Sequence, residues 1–225
     1  MRVHIKNDIP LGKGLGSSAA AIAGGLCAAN FMLGQRYSAR QLLAWGLQME
    51  GHADNIVPAM IGGLTTVMIY EGRVYYQKVC IPDVIKVVVA VPEIALSTRE
   101  SRAVLPENVN MQDAVANLQR ACFLLASVYN SDVRNIHMAM EDTIYQPSRK
   151  GLIPGLEHVI EMASDAGAIG VALSGAGPSV AAFATGNEQQ IGQAMMEAFA
   201  AKGIDSRVLY LTPYQEGIKI LGKRF

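Results

Sequence analysis

Pro10-Leu11-Gly12-Lys13-Gly14-Leu15-Gly16-Ser17-Ser18-Ala19-Ala20-Ala21 joins a short alternating run to a long alanine-rich segment through three glycines and two hydroxyls. Glycine at every second position lets the backbone turn tightly and brings bare N–H groups to one point. A helix starting at Ser17 would present its unpaired N-terminal donors and positive dipole end to the same place. The stretch reads as an anion-binding loop, with phosphate as its natural guest; the plainer alternative is a glycine turn with Ser17 as a helix cap. Spacing excludes two other glycine loops. A P-loop needs Gly-Lys followed at once by Ser or Thr, whereas Lys13 is followed by Gly14, Leu15 and Gly16. A dinucleotide-binding turn needs a carboxylate about 20 residues on, and no acidic residue lies between Asp8 and Glu50.

The 225-residue chain is 51% hydrophobic and 17% charged, enough for one large or two small cores and too apolar to stay disordered. Nineteen basic and nineteen acidic residues cancel, which argues against nucleic acid or an anionic membrane as the main partner and for a small-molecule ligand. Cys27, Cys80 and Cys122 lack paired spacing and read as buried thiols of a reducing compartment. No apolar stretch at the start resembles a secretory signal, and the apolar run 19–33 is too short to span a bilayer. A cytoplasmic location is expected.

Alternation over residues 1–6 predicts a strand, and residues 17–33 predict a helix apolar on nearly all faces. Ser38 caps a second helix with Leu42, Leu43, Trp45, Gly46 and Met49 on its inner side. That helix runs into Glu50-Gly51-His52-Ala53-Asp54-Asn55-Ile56-Val57-Pro58-Ala59, a polar cluster in apolar surroundings. Such groups cost free energy to bury unpaired. Glu50 is a hard oxygen ligand suited to Mg²⁺ and Asn55 can orient a hydroxyl, unless Asp54 and Asn55 merely cap a short helix. Residues 64–79 predict a hairpin around Glu71-Gly72-Arg73, and residues 85–91 a strand. Residues 97–106 predict a short capped helix, 111–129 an amphipathic core helix with Val115, Leu118, Cys122, Leu125 and Val128 on its buried stripe, and 146–155 an ordered loop. A strand at 169–173, a glycine turn at 174–179, a strand at 180–185, a helix at 190–202 and a strand at 206–211 predict a C-terminal α+β sandwich of ferredoxin-like type. A boundary near Pro82 divides the chain into 1–82 and 83–225.

Residues 10–20 match position for position Pro-x-x-x-Gly-Leu-Gly-Ser-Ser-Ala-Ala, the phosphate-binding signature of the GHMP kinase superfamily, which the chain resembles. Leu173-Ser174-Gly175-Ala176-Gly177-Pro178-Ser179 is similar to that superfamily's second glycine loop, which packs against the first. Glu50-Gly51-His52-x-Asp54-Asn55-x-x-Pro58-Ala59, Thr98-x-x-x-Arg102-x-x-Leu105-Pro106 and Gln146-Pro147-x-Arg149-x-x-Leu152-Ile153-Pro154-Gly155 resemble blocks of its homoserine kinase branch. Mevalonate kinases instead carry a Ser-Gly-x-Asp pattern.

The resemblance implies a two-domain α+β fold, with an N-terminal part like ribosomal protein S5 and a ferredoxin-like C-terminal part. It implies transfer of the ATP γ-phosphoryl group to L-homoserine. Pro10, Leu11, Gly12, Lys13, Gly14, Leu15, Gly16, Ser17, Ser18, Ala19, Ala20, Gly175 and Gly177 would hold the nucleotide, and Ser17 or Ser18 with Glu50 the Mg²⁺. Asn55, Glu50 and Ser18 would act in catalysis, while Arg102 and Arg149 take the amino-acid carboxylate with His52, Asp54, Asn55 and Thr98 nearby. Another GHMP kinase, of mevalonate or diphosphocytidyl-methylerythritol type, is one alternative, the latter offering no carboxylate for an arginine pair; a non-catalytic nucleotide-binding module is the other. The family also carries about half a domain before the phosphate loop, with a Pro-Ala-x-x-Ala-Asn-Leu-Gly-x-Gly-Phe-Asp block that this sequence lacks. Its absence leads to expectations of low activity for the isolated chain and of exposed apolar sheet that self-associates, a homodimer included.

Overall fold

Residues 2–220 and the backbone of Lys223 and Arg224 are described by a computed structural model. Gly16, left-handed at φ 73°, turns the chain directly into α1 (Ser17–Met32). At the far end of that helix Asn30 is buried, donating to Tyr37 O and accepting from Tyr37 N, both at 2.9 Å. This pair closes the turn that leads to α2 (Ala39–Glu50), where Ser38 and Gln41 form a capping box. Next come α3 (Ile56–Ile61) and a hairpin of β1 (Leu64–Tyr70) and β2 (Arg73–Val79). Ala19, Ala23 and Cys27 of α1 pack on Leu42, Leu43, Ile56, Val57 and Met60 to make the first core. Small residues are needed where these helices meet: a Cβ on Gly46 would lie 2.8 Å from Ile56 Cγ2.

The second core is built on β3 (Lys86–Pro92), which leads to α4 (Thr98–Ala103), α5 (Met111–Tyr129), α6 (Ile136–Ala139) and α7 (Tyr145–Arg149). A 3₁₀ turn at Lys150–Leu152 then precedes α8 (Leu156–Asp165), β4 (Gly170–Leu173), β5 (Val180–Ala184), α9 (Glu188–Ala200) and β6 (Ser206–Leu211). The four strands form an antiparallel sheet in the order β4-β5-β3-β6, the ferredoxin-like arrangement the sequence predicts. Val88 and Ala90 of β3 meet Val159 and Ala163 of α8 and Ile191, Met195 and Phe199 of α9 in one buried cluster. A short pair, β7 (Lys219–Ile220) and β8 (Lys223–Arg224), follows. Here the chain returns to the first core: Ile218 N donates to Met60 O at 3.1 Å, and Ile218 and Ile220 pack beside α1–α3.

Five local expectations are corrected. Residues 2–6 form no strand, and Val3 and Ile5 are exposed, because no described strand pairs with them; Met1 lies outside the described residues. Helix α1 buries one stripe, Ala19, Ala23, Cys27 and Asn30, while Phe31 and Met32 face solvent. On α2, Trp45 and Met49 are exposed and the inner side is Leu42, Leu43 and Gly46. Residues 146–155 are largely helical, since Pro147 sits in the first turn of α7, where a missing N–H costs nothing. Finally, Val115, Leu118 and Cys122 of α5 point outward. The opposite face is held inward by polar contacts: Asn117 Nδ2 donates to Asp142 Oδ1 at 2.7 Å, and Arg120 Nη2 to Glu141 Oε2 at 2.8 Å. Cys27 is the one buried thiol of the three, its pKa pushed up to about 11 by burial; Cys80 and Cys122 are exposed.

Candidate active site

Gly12, Gly14 and Gly16 all have left-handed backbones, at φ 65°, 73° and 73°, so the alternation read from the sequence is used at each glycine. The loop ends on α1, whose N-cap carries no side-chain hydrogen bond and whose first turn holds no acidic residue. Its orphan N–H groups are left for an anion. The two hydroxyls differ. Ser17 Oγ accepts from Asn7 Nδ2 at 3.2 Å, whereas Ser18 Oγ donates to Glu50 Oε2 at 2.7 Å.

The second glycine turn presses directly on the first. Ser174 Oγ donates to Gly14 O at 2.9 Å, and a Cβ on Gly14 would meet Ser174 O as well as Gly177 O and N at 2.7 and 2.9 Å. Gly14→Ala must therefore push the two loops apart and strain a left-handed residue. We expect it to weaken nucleotide binding by about tenfold or more, measured by calorimetric titration. Unchanged affinity would show that the loops need not touch.

Glu50 ends α2 at the mouth of the loop, its side chain nearly buried. His52 lies between two carboxylates: Nδ1 is 2.5 Å from Asp54 Oδ1, and Nε2 is 3.9 Å from Glu50 Oε1. Asn55 occupies the N-cap of α3 without bonding its own helix. Its amide instead lies against the phosphate loop, since a Cβ on Gly16 would be 3.3 Å from Asn55 Oδ1.

Arg149 is buried and already engaged. Nε donates to Ser101 O at 3.1 Å and Nη1 to Gly175 O at 3.0 Å, with the guanidinium over the Tyr145 ring. Burial, first, and the like charge of Arg102 pull its pKa down, against the raising influence of Asp142 and Tyr145; a guanidinium stays charged nonetheless. Arg102 is exposed and has neither an ion pair nor a hydrogen bond from its guanidinium among the described residues. Both arginines line one cavity, close enough for the charge of Arg102 to be felt at Arg149.

These groups share one cavity of about 800 Å³, lined by residues 12–18, Glu50, His52, Asp54, Asn55, Thr98, Arg102, Arg149 and Gly175 among others. Of the residues singled out in the sequence, Pro10 also lines it, whereas Leu11, Ala19, Ala20 and Gly177 do not. Lys13 lines it but sends its ammonium away from the loop, to Pro92 O at 2.7 Å.

Two family models match the chain: the N-terminal domain of GHMP kinases over residues 1–63 and the GHMP kinase C-terminal domain over 124–202. A homoserine kinase of Carboxydothermus hydrogenoformans is 42% identical over 217 residues, 96% of this chain and 71% of that protein. A homoserine kinase of Halothermothrix orenii is 40% identical over 96% of this chain and 70% of its own length. The crystal structure of homoserine kinase from Cytophaga hutchinsonii superposes with a TM-score of 0.89 at 35% identity, covering 96% of this chain and 70% of that one. The chain belongs to the homoserine kinase family.

For a homoserine kinase family member, several supporting residues carry no signal in the sequence. Asp142 holds α7 in place: Oδ1 accepts from Ile144 N at 2.8 Å, Tyr145 N at 3.0 Å and Asn117 Nδ2 at 2.7 Å, and Oδ2 accepts from Gln146 N at 2.7 Å. Burial raises its pKa, and these four hydrogen bonds outweigh that, leaving it below the usual carboxylate value. Gln146 Oε1 accepts from Leu173 N at 2.7 Å, and the buried Ser101 Oγ donates to Ala176 O at 2.6 Å. Asp142 was legible only as an Asp three residues before a Tyr-Gln-Pro turn; Ser101 and Tyr145 gave nothing.

Proposed function

We propose that this protein transfers the γ-phosphoryl group of ATP to the side-chain hydroxyl of L-homoserine, giving ADP and O-phospho-L-homoserine, in the cytoplasm. The observation that carries the reading is that Arg102 and Arg149 line the same cavity as the uncapped N-terminus of α1. The arginines suit an amino-acid carboxylate and the helix N-terminus a phosphate. We take residues 1–82 and 83–225 as the two domains, with the cavity between their glycine loops.

Phosphoryl transfer has a loose, charge-rich transition state, so catalysis is positioning and electrostatic stabilisation. Backbone N–H groups of residues 12–18 would cradle the phosphates. Glu50 and Ser18 fit Mg²⁺: both are hard oxygen donors, joined at 2.7 Å beside the phosphate loop. Groups of three or more His, Cys, Asp or Glu fit for a metal are absent among the described residues. When bound there, Mg²⁺ would supply positive charge to offset that developing on the phosphate. The bond from Ser18 to Glu50, against that from Asn7 to Ser17, favours Ser18 for this shell.

Asn55, with its amide free beside Gly16, would orient the homoserine hydroxyl. Arg102 and the remaining Nη2 of Arg149 would grip the carboxylate, with Thr98 beside them. His52 is held by Asp54 at 2.5 Å, and the family resemblance implies that a phosphate oxygen would accept the hydroxyl proton. Pro10 would line the nucleotide site, and Leu11, Ala19, Ala20 and Gly177 would support the loops from outside the cavity. Incubation with MgATP and a panel of alcohols tests the reading by ADP release. Homoserine should be turned over far better than mevalonate; equal rates would contradict the reading. Among the described residues, no helix is long and apolar enough to cross a membrane.

A further inference from the structure

A lysine inside a phosphate loop invites the reading that its ammonium binds phosphate. In this fold the ammonium is used elsewhere. Lys13 Nζ donates to Pro92 O at 2.7 Å and to Ile94 O at 3.2 Å, and lies 3.4 Å from Glu93 Oε2. An ammonium has three N–H donors, and three acceptors face it. The Lys13 side chain is 15% exposed and that of Glu93 is 63% exposed, so the ion pair is the weak member and the two carbonyls do the holding.

The place of these carbonyls gives the contact its meaning. Pro92 ends β3, and the segment it opens reaches Ser97, whose capping box starts α4, the carrier of Thr98 and Arg102. Helix α4 in turn holds the second glycine loop through Ser101 and Arg149, and that loop holds Gly14 through Ser174. Lys13 closes this circuit from the residue next to Gly14. For the ammonium to reach a phosphate it would have to leave Pro92 O and Ile94 O, both part-buried, without their donor.

We infer that Lys13 is a positioning residue: it braces the phosphate loop against the β3–α4 segment, fixes the placement of that loop relative to α4 with its Thr98 and Arg102, and does not ligate phosphate. The inference rests on the homoserine kinase reading only for the identity of the acceptor. Lys13→Met keeps the stem and removes the charge. It should lower kcat/KM for homoserine by about tenfold or more while the Kd for MgATP stays within about threefold, and Lys13→Arg, which can still donate to both carbonyls, should recover most of the loss. Glu93→Gln should change neither constant by more than about twofold. Weaker MgATP binding with unchanged homoserine parameters, or no effect of Lys13→Met at all, would overturn the inference, as would failure of Lys13→Arg to recover activity in a folded variant.

An arm on the wild-type protein keeps the inference testable even if Lys13→Met does not fold. Backbone amide exchange of residues 93–97 should be unchanged or slower when MgATP is added. Faster exchange there would mean that the ammonium leaves its carbonyls for phosphate. This arm needs no acceptor, so a failed homoserine panel with slow exchange would count against the substrate and leave the brace standing.

Discussion

Replacing Glu50 with Gln is expected to lower kcat by about a hundredfold or more and to raise the Mg²⁺ concentration needed for half-maximal rate, with little change in melting temperature. The amide keeps the shape of the side chain and can still accept from Ser18 Oγ, so the 2.7 Å contact and the end of α2 survive. What it loses is the negative charge, in a corner where the side chain is only 12% exposed and solvent screening is weak. His52 would keep its contact with Asp54 at 2.5 Å. An unchanged Mg²⁺ requirement would remove Glu50 from the metal shell and leave it as a cap on the phosphate loop.

Arg102→Ala is expected to raise the homoserine KM about 30-fold, with the ATP KM nearly unchanged. The figure corresponds to about 2 kcal/mol for a charged hydrogen-bond pair, toward the lower end of the usual range because Arg102 is reachable by solvent. Arg149→Ala is the less informative change. Its guanidinium also joins Ser101 O to Gly175 O, so truncation would orphan two carbonyls and loosen the second glycine loop along with any contact to substrate. Loss of affinity for both substrates and a lower melting temperature are expected for Arg149→Ala. A homoserine KM unaltered in Arg102→Ala would place the carboxylate elsewhere.

What could be read from the sequence was what is encoded locally. The alternate glycines of residues 12–16 state their own backbone angles, Ser38 with Gln41 and Ser97 with Glu100 state their caps, and short runs bounded by turn residues state β1 to β6. The blocks holding Glu50, Asn55, Arg102 and Arg149 stood out through the family resemblance, and they line one cavity. What could not be read was direction. The inward face of α5 carries Asn117 and Arg120, which meet residues 141–143 some 20 or more positions away, and Leu124 and Val128, which pack in a core with Ile85 and Ile136, none of which is visible locally. Nothing near Lys13 in sequence reveals that its ammonium meets the carbonyls of Pro92 and Ile94. The alternation of residues 2–6 likewise says nothing about whether a partner strand is present.

The central claim is that this cavity recognises an amino-acid carboxylate through Arg102 and Arg149 while its glycine loop holds phosphate. The most direct measurement is kcat/KM for homoserine against 3-aminopropan-1-ol, the same alcohol without its carboxylate, in the wild-type protein and in Arg102→Ala. The wild type should prefer homoserine strongly, and the preference should shrink by about tenfold or more in the variant, since the arginine and the carboxylate lose the same interaction. An equal preference in both proteins, or a wild type indifferent to the carboxylate, would contradict the account.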